Sequence, residues 1–235
     1  MTKKRLLVIG AAGDVGQGVV AAVLDAGHAV AAAGRSSGKL DAIAARHPGA
    51  AISVVAGDVS TVDGAAKLFA DASAALGGVD AVVVSVNAPA APAPILGMDD
   101  AGLADVFAAN VLTHFNAAKA ILPRLAPNAI FIGIGGGMAD FAPPQMAHVS
   151  MTQAALRMVY RGLSRETKKT GPIVKELMVV SMVNGESKRD IAEADWLTDL
   201  EIGRHVCAVL SDPSSFPDAI LKLTSREQVG ALDAF

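Results

Sequence analysis

The chain has 235 residues, 52% hydrophobic and 18% charged, with a formal net charge of −3 and a single cysteine, Cys207. That length allows one large core without disulfides or metal, and one cysteine excludes an internal disulfide framework and fits a reducing, cytoplasmic setting. The slightly acidic balance, with no basic cluster, argues against nucleic acid as a partner.

In chain order, Met1 to Arg5 carries the charge of a secretory n-region, but the apolar run after it stops at Gly10, too short for an h-region. Leu6–Ile9 reads as a first strand, followed by a glycine loop and an apolar helix from about Gly16 to Ala26, ended by Gly27. His28–Ala33 reads as a second strand and Leu40–Arg46 as a second helix. Ile52–Ala56 is a third strand, and Asp58 to Thr61 supply cap residues for a helix over Val62–Leu76. Ala81–Val86 is a fourth strand, and a proline-rich loop from Pro89 to Pro94 leads to a helix over Leu103–Leu122. Ala129–Ile134 is a fifth strand, ended by Gly135 to Gly137 and followed by a helix near Val149–Lys168. A strand at Lys175–Ser181, a helix over Glu201–Leu210 and a short strand at Ala219–Leu223 complete the pattern.

The other apolar runs are broken by Gly, Asp or Pro well short of a membrane span, so no membrane partner is expected. Strands alternate with helices and are continuously apolar, as strands covered on both faces must be. The expected fold is therefore α/β: a single doubly wound parallel sheet (Rossmann fold), helices on both faces, in one domain spanning residues 1–235. No metal site is expected.

Gly10, Gly13 and Gly16 follow the first strand directly. One glycine there lets the chain turn sharply, one lets backbone approach a pyrophosphate, and one lets the helix pack on the strand. The helix start then offers free N–H groups and partial positive charge to phosphates. The loop Gly10, Ala12, Gly13, Asp14, Val15, Gly16 is thus the candidate dinucleotide cradle. Domains that prefer NAD place a carboxylate at the end of the second strand, whereas here Arg35 and Ser36 stand there, suited to a 2′-phosphate. NADP(H) is the expected cofactor.

These motifs resemble the short-chain dehydrogenase/reductase family over nearly the whole chain. Gly10 to Gly16 resembles its glycine motif, in the spacing of extended and atypical members. Gly34-Arg35 resembles its NADP-preferring strand end, and Asp58-Val59 the pair that touches adenine. Asn87-Ala88-Pro89 stands where the family has its Asn-Asn-Ala-Gly motif. Asn110 matches the helix asparagine that orders a catalytic water, and Asn184-Gly185 the Pro-Gly pair before the substrate loop.

The family's chemistry uses a serine, a tyrosine about a dozen residues later and a lysine one helical turn beyond it. An unperturbed phenol near pKa 10 is a poor acid at neutral pH, so the lysine lowers it. The matching positions here are Gly136, Val149 and Gln153, leaving Asn110 alone of that set. Tyr160 is the only tyrosine and lies eleven residues beyond Val149, about 16 Å along a helix. His148, beside the tyrosine position, is the candidate acid, although a histidine at a helix start also serves as a surface or capping group. Asp140 is a second candidate. Ser150 and Thr152 lie near the same helix start without an evident base.

Two segments, Gly135–Ala147 and Glu186–Leu200, are candidates to line a pocket for a small-molecule substrate. The resemblance implies an atypical NADP(H)-dependent oxidoreductase acting on a small carbonyl or imine. The alternative is a catalytically degenerate NADP(H)-binding sensor or partner subunit, resembling NmrA-like regulators. In the family the helices matching Leu103–Leu122 and Val149–Lys168 often form subunit contacts, which implies a homodimer or homotetramer.

Overall fold

The computed structural model describes residues 3–230 apart from Pro89 and Thr170. The strands are β1 (Arg5–Ile9), β2 (Ala29–Gly34), β3 (Ile52–Ala56), β4 (Ala81–Val84), β5 (Ile130–Gly136), β6 (Ile173–Val179), β7 (Val183–Asn184), β8 (Leu197–Thr198) and β9 (Ile220–Leu223). The helices are α1 (Asp14–Asp25), α2 (Ser37–Ala45), α3 (Val62–Leu76), α4 (Asp100–Phe107), α5 (Thr113–Ile121), α6 (Ala147–Thr167) and α7 (Asp199–Ser211). Seven strands form one sheet in the order β3-β2-β1-β4-β5-β6-β9, and every neighbouring pair is parallel.

The core follows from the period of two along each strand. Leu6, Val8, Val30, Val83 and Ile132 face one way and pack with Val19, Val20 and Val23 of α1 and Ile202, Val206 and Val209 of α7. Leu7, Ile9, Ala31, Val82 and Phe131 face the other way, against Leu68 of α3, Ile121 of α5 and Leu156 and Tyr160 of α6. Each large apolar side chain buried this way stabilises the fold by about 1.5–3 kcal/mol. On the first face α1 and α7 meet backbone to backbone. A Cβ at Gly18 would lie 2.1 Å from the carbonyl carbon of Asp199, and one at Gly203 would lie 2.3 Å from the Gly18 carbonyl oxygen.

Several boundaries differ from the sequence reading. Helix α1 starts at Asp14 rather than Gly16, because Gly13, extended at φ −80° and ψ 164°, serves as its N-cap. The helix expected from Leu103 starts at Asp100, where Asp99 Oδ1 accepts from the Gly102 N–H at 2.8 Å. It is also interrupted by a π turn over Ala108–Leu112. Strand β5 runs on through Gly136, and β6 lies two residues earlier than expected. The small parallel pair β7–β8 was not anticipated, since two-residue strands carry no periodicity.

Strand order reverses between β1 and its neighbours β2 and β4. In an open parallel sheet the crevice at such a point, beyond the strands' carboxyl ends, is where ligands bind.

Candidate functional site

The glycine loop crosses that crevice. Gly10 adopts φ +82°, and its N–H and that of Ala11 both donate to the Ala33 carbonyl, at 2.9 and 3.1 Å. A Cβ at Gly10 would lie 2.2 Å from the Ser85 carbonyl oxygen, and one at Gly16 would lie 2.1 Å from the Gly10 carbonyl oxygen. These two glycines are therefore required by the packing of the loop itself. Gly13 differs: it is exposed, and a Cβ there would meet only the Gly10 carbonyl oxygen, at 3.4 Å. Among the described residues no side chain caps α1, so the N–H groups of its first turn, Asp14 to Gly16, have no intrahelical or capping partner there. Ala12 and Val15 flank this turn, half-buried. An open glycine in front of uncapped helix N–H groups fits a bound phosphate.

The Asp14 carboxylate brings negative charge to the same turn, but it is bridged. Its oxygens accept from the Ser187 N–H, at 2.9 Å, and from the Ser187 hydroxyl. The chain after β7 crosses close above it, because Gly185 has no Cβ to strike Asp14. Glu186 in the same segment pairs with Arg46, which also donates to Gln17 Oε1 at 2.6 Å. Between this segment and α2 lies a cavity of about 540 Å³ lined by Ala12, Gln17, Lys39, Arg46 and Glu186.

Arg35 and Ser36 follow β2, both exposed. Ser36 is the N-cap of α2, its Oγ accepting from the Lys39 N–H at 3.5 Å, which leaves its O–H free to donate. Beyond β3, the Asp58 carboxylate accepts from the Ser60 N–H and hydroxyl; chiefly the hydroxyl, and more weakly the charge of Arg35, hold its pKa below the usual value. Val59 is buried in the core beside it. Asn87 and Ala88 continue from β4, and Pro89 lies outside the described residues.

Asn110 sits in the π turn, 3% exposed. Such widened turns re-aim side chains and recur at functional sites. Its Oδ1 accepts from the Ala88 N–H at 2.8 Å and its Nδ2 donates to the Val106 carbonyl at 2.9 Å, so it ties the helix to the loop after β4. Gln153 does the same from α6. Its Oε1 accepts from the Gly136 N–H at 2.6 Å and its Nε2 donates to Asn87 Oδ1 at 3.4 Å.

His148 is 1% exposed, and its Nδ1 has no hydrogen-bond partner among the described residues. It is therefore neither a surface group nor an open acid. Ser150 and Thr152 are also buried, donating to the carbonyls of Phe141 and Val149 at 2.8 Å each. Asp140 pairs with Arg157 and with Lys222, and hydrogen bonds from Lys222 and Arg157 hold its pKa at about 2. It stays ionised at neutral pH and is no proton donor.

Tyr160 is fully buried, and its ring fills the space where Gly133 lacks a Cβ. Its hydroxyl lies 2.9 Å from His114 Nδ1, while His114 Nε2 lies 2.8 Å from the Val86 carbonyl. A carbonyl only accepts, so Nε2 carries a proton, and burial lowers the His114 pKa to about 4. The neutral ring then accepts the Tyr160 O–H at Nδ1. Burial raises the Tyr160 pKa well above its ordinary value. This pair braces the chain just before Asn87. The sequence alone does not reveal it, because nothing local ties the chain's only tyrosine to Gly133 of β5.

A family model described as short chain dehydrogenase matches residues 4–195. No curated protein matches the chain. Among solved structures, a mutant short-chain dehydrogenase/reductase from Serratia marcescens is 20% identical, with 95% of this chain and 97% of that one covered and a TM-score of 0.84. An NADPH-bound short-chain oxidoreductase from Pseudomonas aeruginosa, described as containing an atypical catalytic center, is 19% identical, with 94% and 95% covered and a TM-score of 0.83. A 3-ketoacyl-(acyl-carrier-protein) reductase from Brucella melitensis complexed with NADH is 16% identical, with 94% and 96% covered and a TM-score of 0.81. At these identities the structural likeness speaks to fold alone.

Proposed function

The chain belongs to the short-chain dehydrogenase family, and from that premise we propose that it is an atypical NADP(H)-binding oxidoreductase acting on a small carbonyl or imine. The observation that carries the reading is the open cradle at Gly13 before an uncapped α1. Residues Gly10, Ala12, Gly13, Asp14, Val15 and Gly16 would hold the diphosphate, with Asp14 contributing its N–H while Ser187 engages its carboxylate. Arg35 and Ser36 would take the 2′-phosphate, since a guanidinium and a free hydroxyl hydrogen suit phosphate and no carboxylate stands beside them in sequence. Asp58 and Val59 would border the adenine, and Asn87 and Ala88 the far side of the crevice, with Pro89, outside the described residues, next in sequence.

Bound nicotinamide would supply or accept the hydride. The protein's part is orientation. Gln153 and Asn110 fix the two walls, the end of β5 and the loop after β4, through neutral hydrogen bonds. At the positions matching the family's serine, tyrosine and lysine, Gly136, Val149 and Gln153 supply neither a phenol nor a cation. An imine already protonated in water needs less help from a protein acid, which makes it the more tolerable of the two substrate classes. His148 would assist only where α6 opens enough to uncover it.

A second reading, a degenerate NADP(H) sensor or partner subunit, is favoured by two observations. The amide of Gln153 is already engaged at both ends, and the sole tyrosine is locked in the core. Titration with NADPH and NADH, followed by an NADPH-oxidation screen over aldehydes, ketones, quinones and imines, separates the two. Turnover on any class supports the enzyme, and binding without turnover supports the sensor. No binding at micromolar concentrations sinks both. Turnover that survives His148→Ala removes that residue from the mechanism.

The proposal includes one domain and a cytoplasmic setting, which suits the lone Cys207. It also includes a homodimer or homotetramer. Leu112 and Phe115, at the π turn and on α5, and Met151 and Met158 on α6 are exposed apolar side chains on the two helices expected at that contact.

A further inference from the structure

Glu176 lies in the middle of β6 with no solvent exposure, and neither carboxyl oxygen has a hydrogen-bond partner among the described residues. It occupies space that exists only because residue 135 is glycine: a Cβ at Gly135 would lie 1.9 Å from Glu176 Oε1. Register places Val174, Glu176 and Met178 on one side of β6, and Val174 belongs to the core beneath α6. The groups around this carboxyl are identifiable. Helix α6 presents Arg157, Tyr160 and Arg161, and the turn after β5 presents Asp140. Lys222 of β9 reaches this set through Asp140, and His114 of α5 reaches it through Tyr160. The adjacent Lys175 is engaged elsewhere, its Nζ donating to the Asp218 carbonyl at 2.9 Å.

Arg157 is the second half of the arrangement. One terminal nitrogen pairs with Asp140 Oδ1 and the other donates to the Ala139 carbonyl at 3.0 Å. Its Nε, buried, has no hydrogen-bond partner among the described residues. A half-buried cation with a buried, unused donor thus acts electrostatically on a buried carboxyl with two unused oxygens, while its other donors hold the turn over Gly137–Ala139 and Asp140. That turn leads from β5 into one of the segments bordering the candidate site.

We propose that Glu176 is a buried positioning residue whose ionisation decides whether Arg157 holds the 137–140 turn in place. With the carboxyl neutral, it makes no claim on the guanidinium, and Arg157 stays on Asp140 and Ala139. With the carboxyl ionised, an unpaired charge in the core draws the Arg157 donors toward itself, because a buried charge is tolerated only when paired and hydrogen-bonded. Asp140 keeps Lys222, so the turn loosens without being released. Desolvation raises the Glu176 pKa to about 7, which places the change near neutrality. This coupling depends on neither the cofactor nor the substrate.

The test is amide hydrogen exchange of residues 137–141 in the full chain, from about pH 6 to about pH 8.5, corrected for intrinsic exchange. In the wild type, protection is expected to fall about tenfold across this range, with a midpoint near 7. Glu176→Gln keeps the shape and removes the charge, and is expected to hold the low-pH protection throughout. Asp140→Ala removes the acceptor that Arg157 holds, and is expected to show low protection at every pH. A flat wild-type profile overturns the proposal without any variant. An identical slope in Glu176→Gln assigns the change to another group and overturns it equally.

Discussion

His114 and Tyr160 fix each other's protonation, and the bond between them is enclosed by α5, α6 and β5. Tyr160→Phe keeps the ring over Gly133 but leaves His114 Nδ1 buried without a donor. The expected cost is about 1–3 kcal/mol in urea unfolding, with the far-ultraviolet circular dichroism unchanged. Glu176 gives a prediction of opposite character. Its carboxyl titrates near 4.5 when unfolded and near 7 in the fold, so between those values the native state holds the extra proton. Stability from this group therefore falls as pH rises through that window, by about 3 kcal/mol in all. His28, His114 and His205 have lowered pKa values and act in the opposite sense over overlapping pH, because the unfolded chain protonates them first. The measurement is accordingly a difference. Glu176→Gln minus wild type, in guanidinium unfolding at several pH values, should become more favourable from about pH 4.5 to about pH 7 and then level. At this scale the sequence was partly legible. Gly10, Gly13 and Gly16 announce their backbone roles by position, whereas the partners of Gly133 and Gly135 lie dozens of residues away and carry no local pattern.

Among the elements, α7 carries the clearest capping signature. Thr198 Oγ1 accepts from the Glu201 N–H at 3.1 Å while the Glu201 carboxylate accepts from the Thr198 N–H at 2.8 Å. Thr198→Ala removes one arm and should cost about 1 kcal/mol, read from thermal or denaturant unfolding. The effect is expected to reach the glycine loop, because α7 meets α1 across Gly18 and Gly203. Long helices and buried strands were legible from apolar runs and their period. The π turn was not, since its apolar residues continue the pattern of Leu103–Leu122 and nothing local marks the added residue. Nor was the strap from Gly185 to Ser187 across Asp14, which depends on a contact between segments more than 170 residues apart. A serine and an aspartate are too common to reveal such a pairing in sequence.

For the whole molecule, the order of motifs along the chain was enough to place the crevice. The sheet then brings Arg35, Asp58, Asn87 and Gly136 to the carboxyl ends of four successive strands of the fold. What sequence order leaves open is chemistry at the far end of that crevice, because acids and bases there are defined by burial. Burial removes His148 from solvent and pairing removes Asp140 from acid catalysis. The exposed apolar set on α5 and α6 bears on assembly: Met158→Glu should shift the protein toward monomer in sedimentation velocity, and an unchanged oligomer would move the contact elsewhere. In the proposed function, the Gly10–Gly16 loop and Arg35 hold a phosphorylated dinucleotide. Calorimetric titration of wild type and Arg35→Ala with NADPH and NADH tests it most directly. NADPH is expected to bind wild type and to lose about tenfold or more in affinity in the variant, with NADH little changed. Equal losses for both, or no binding of either to wild type, would contradict it.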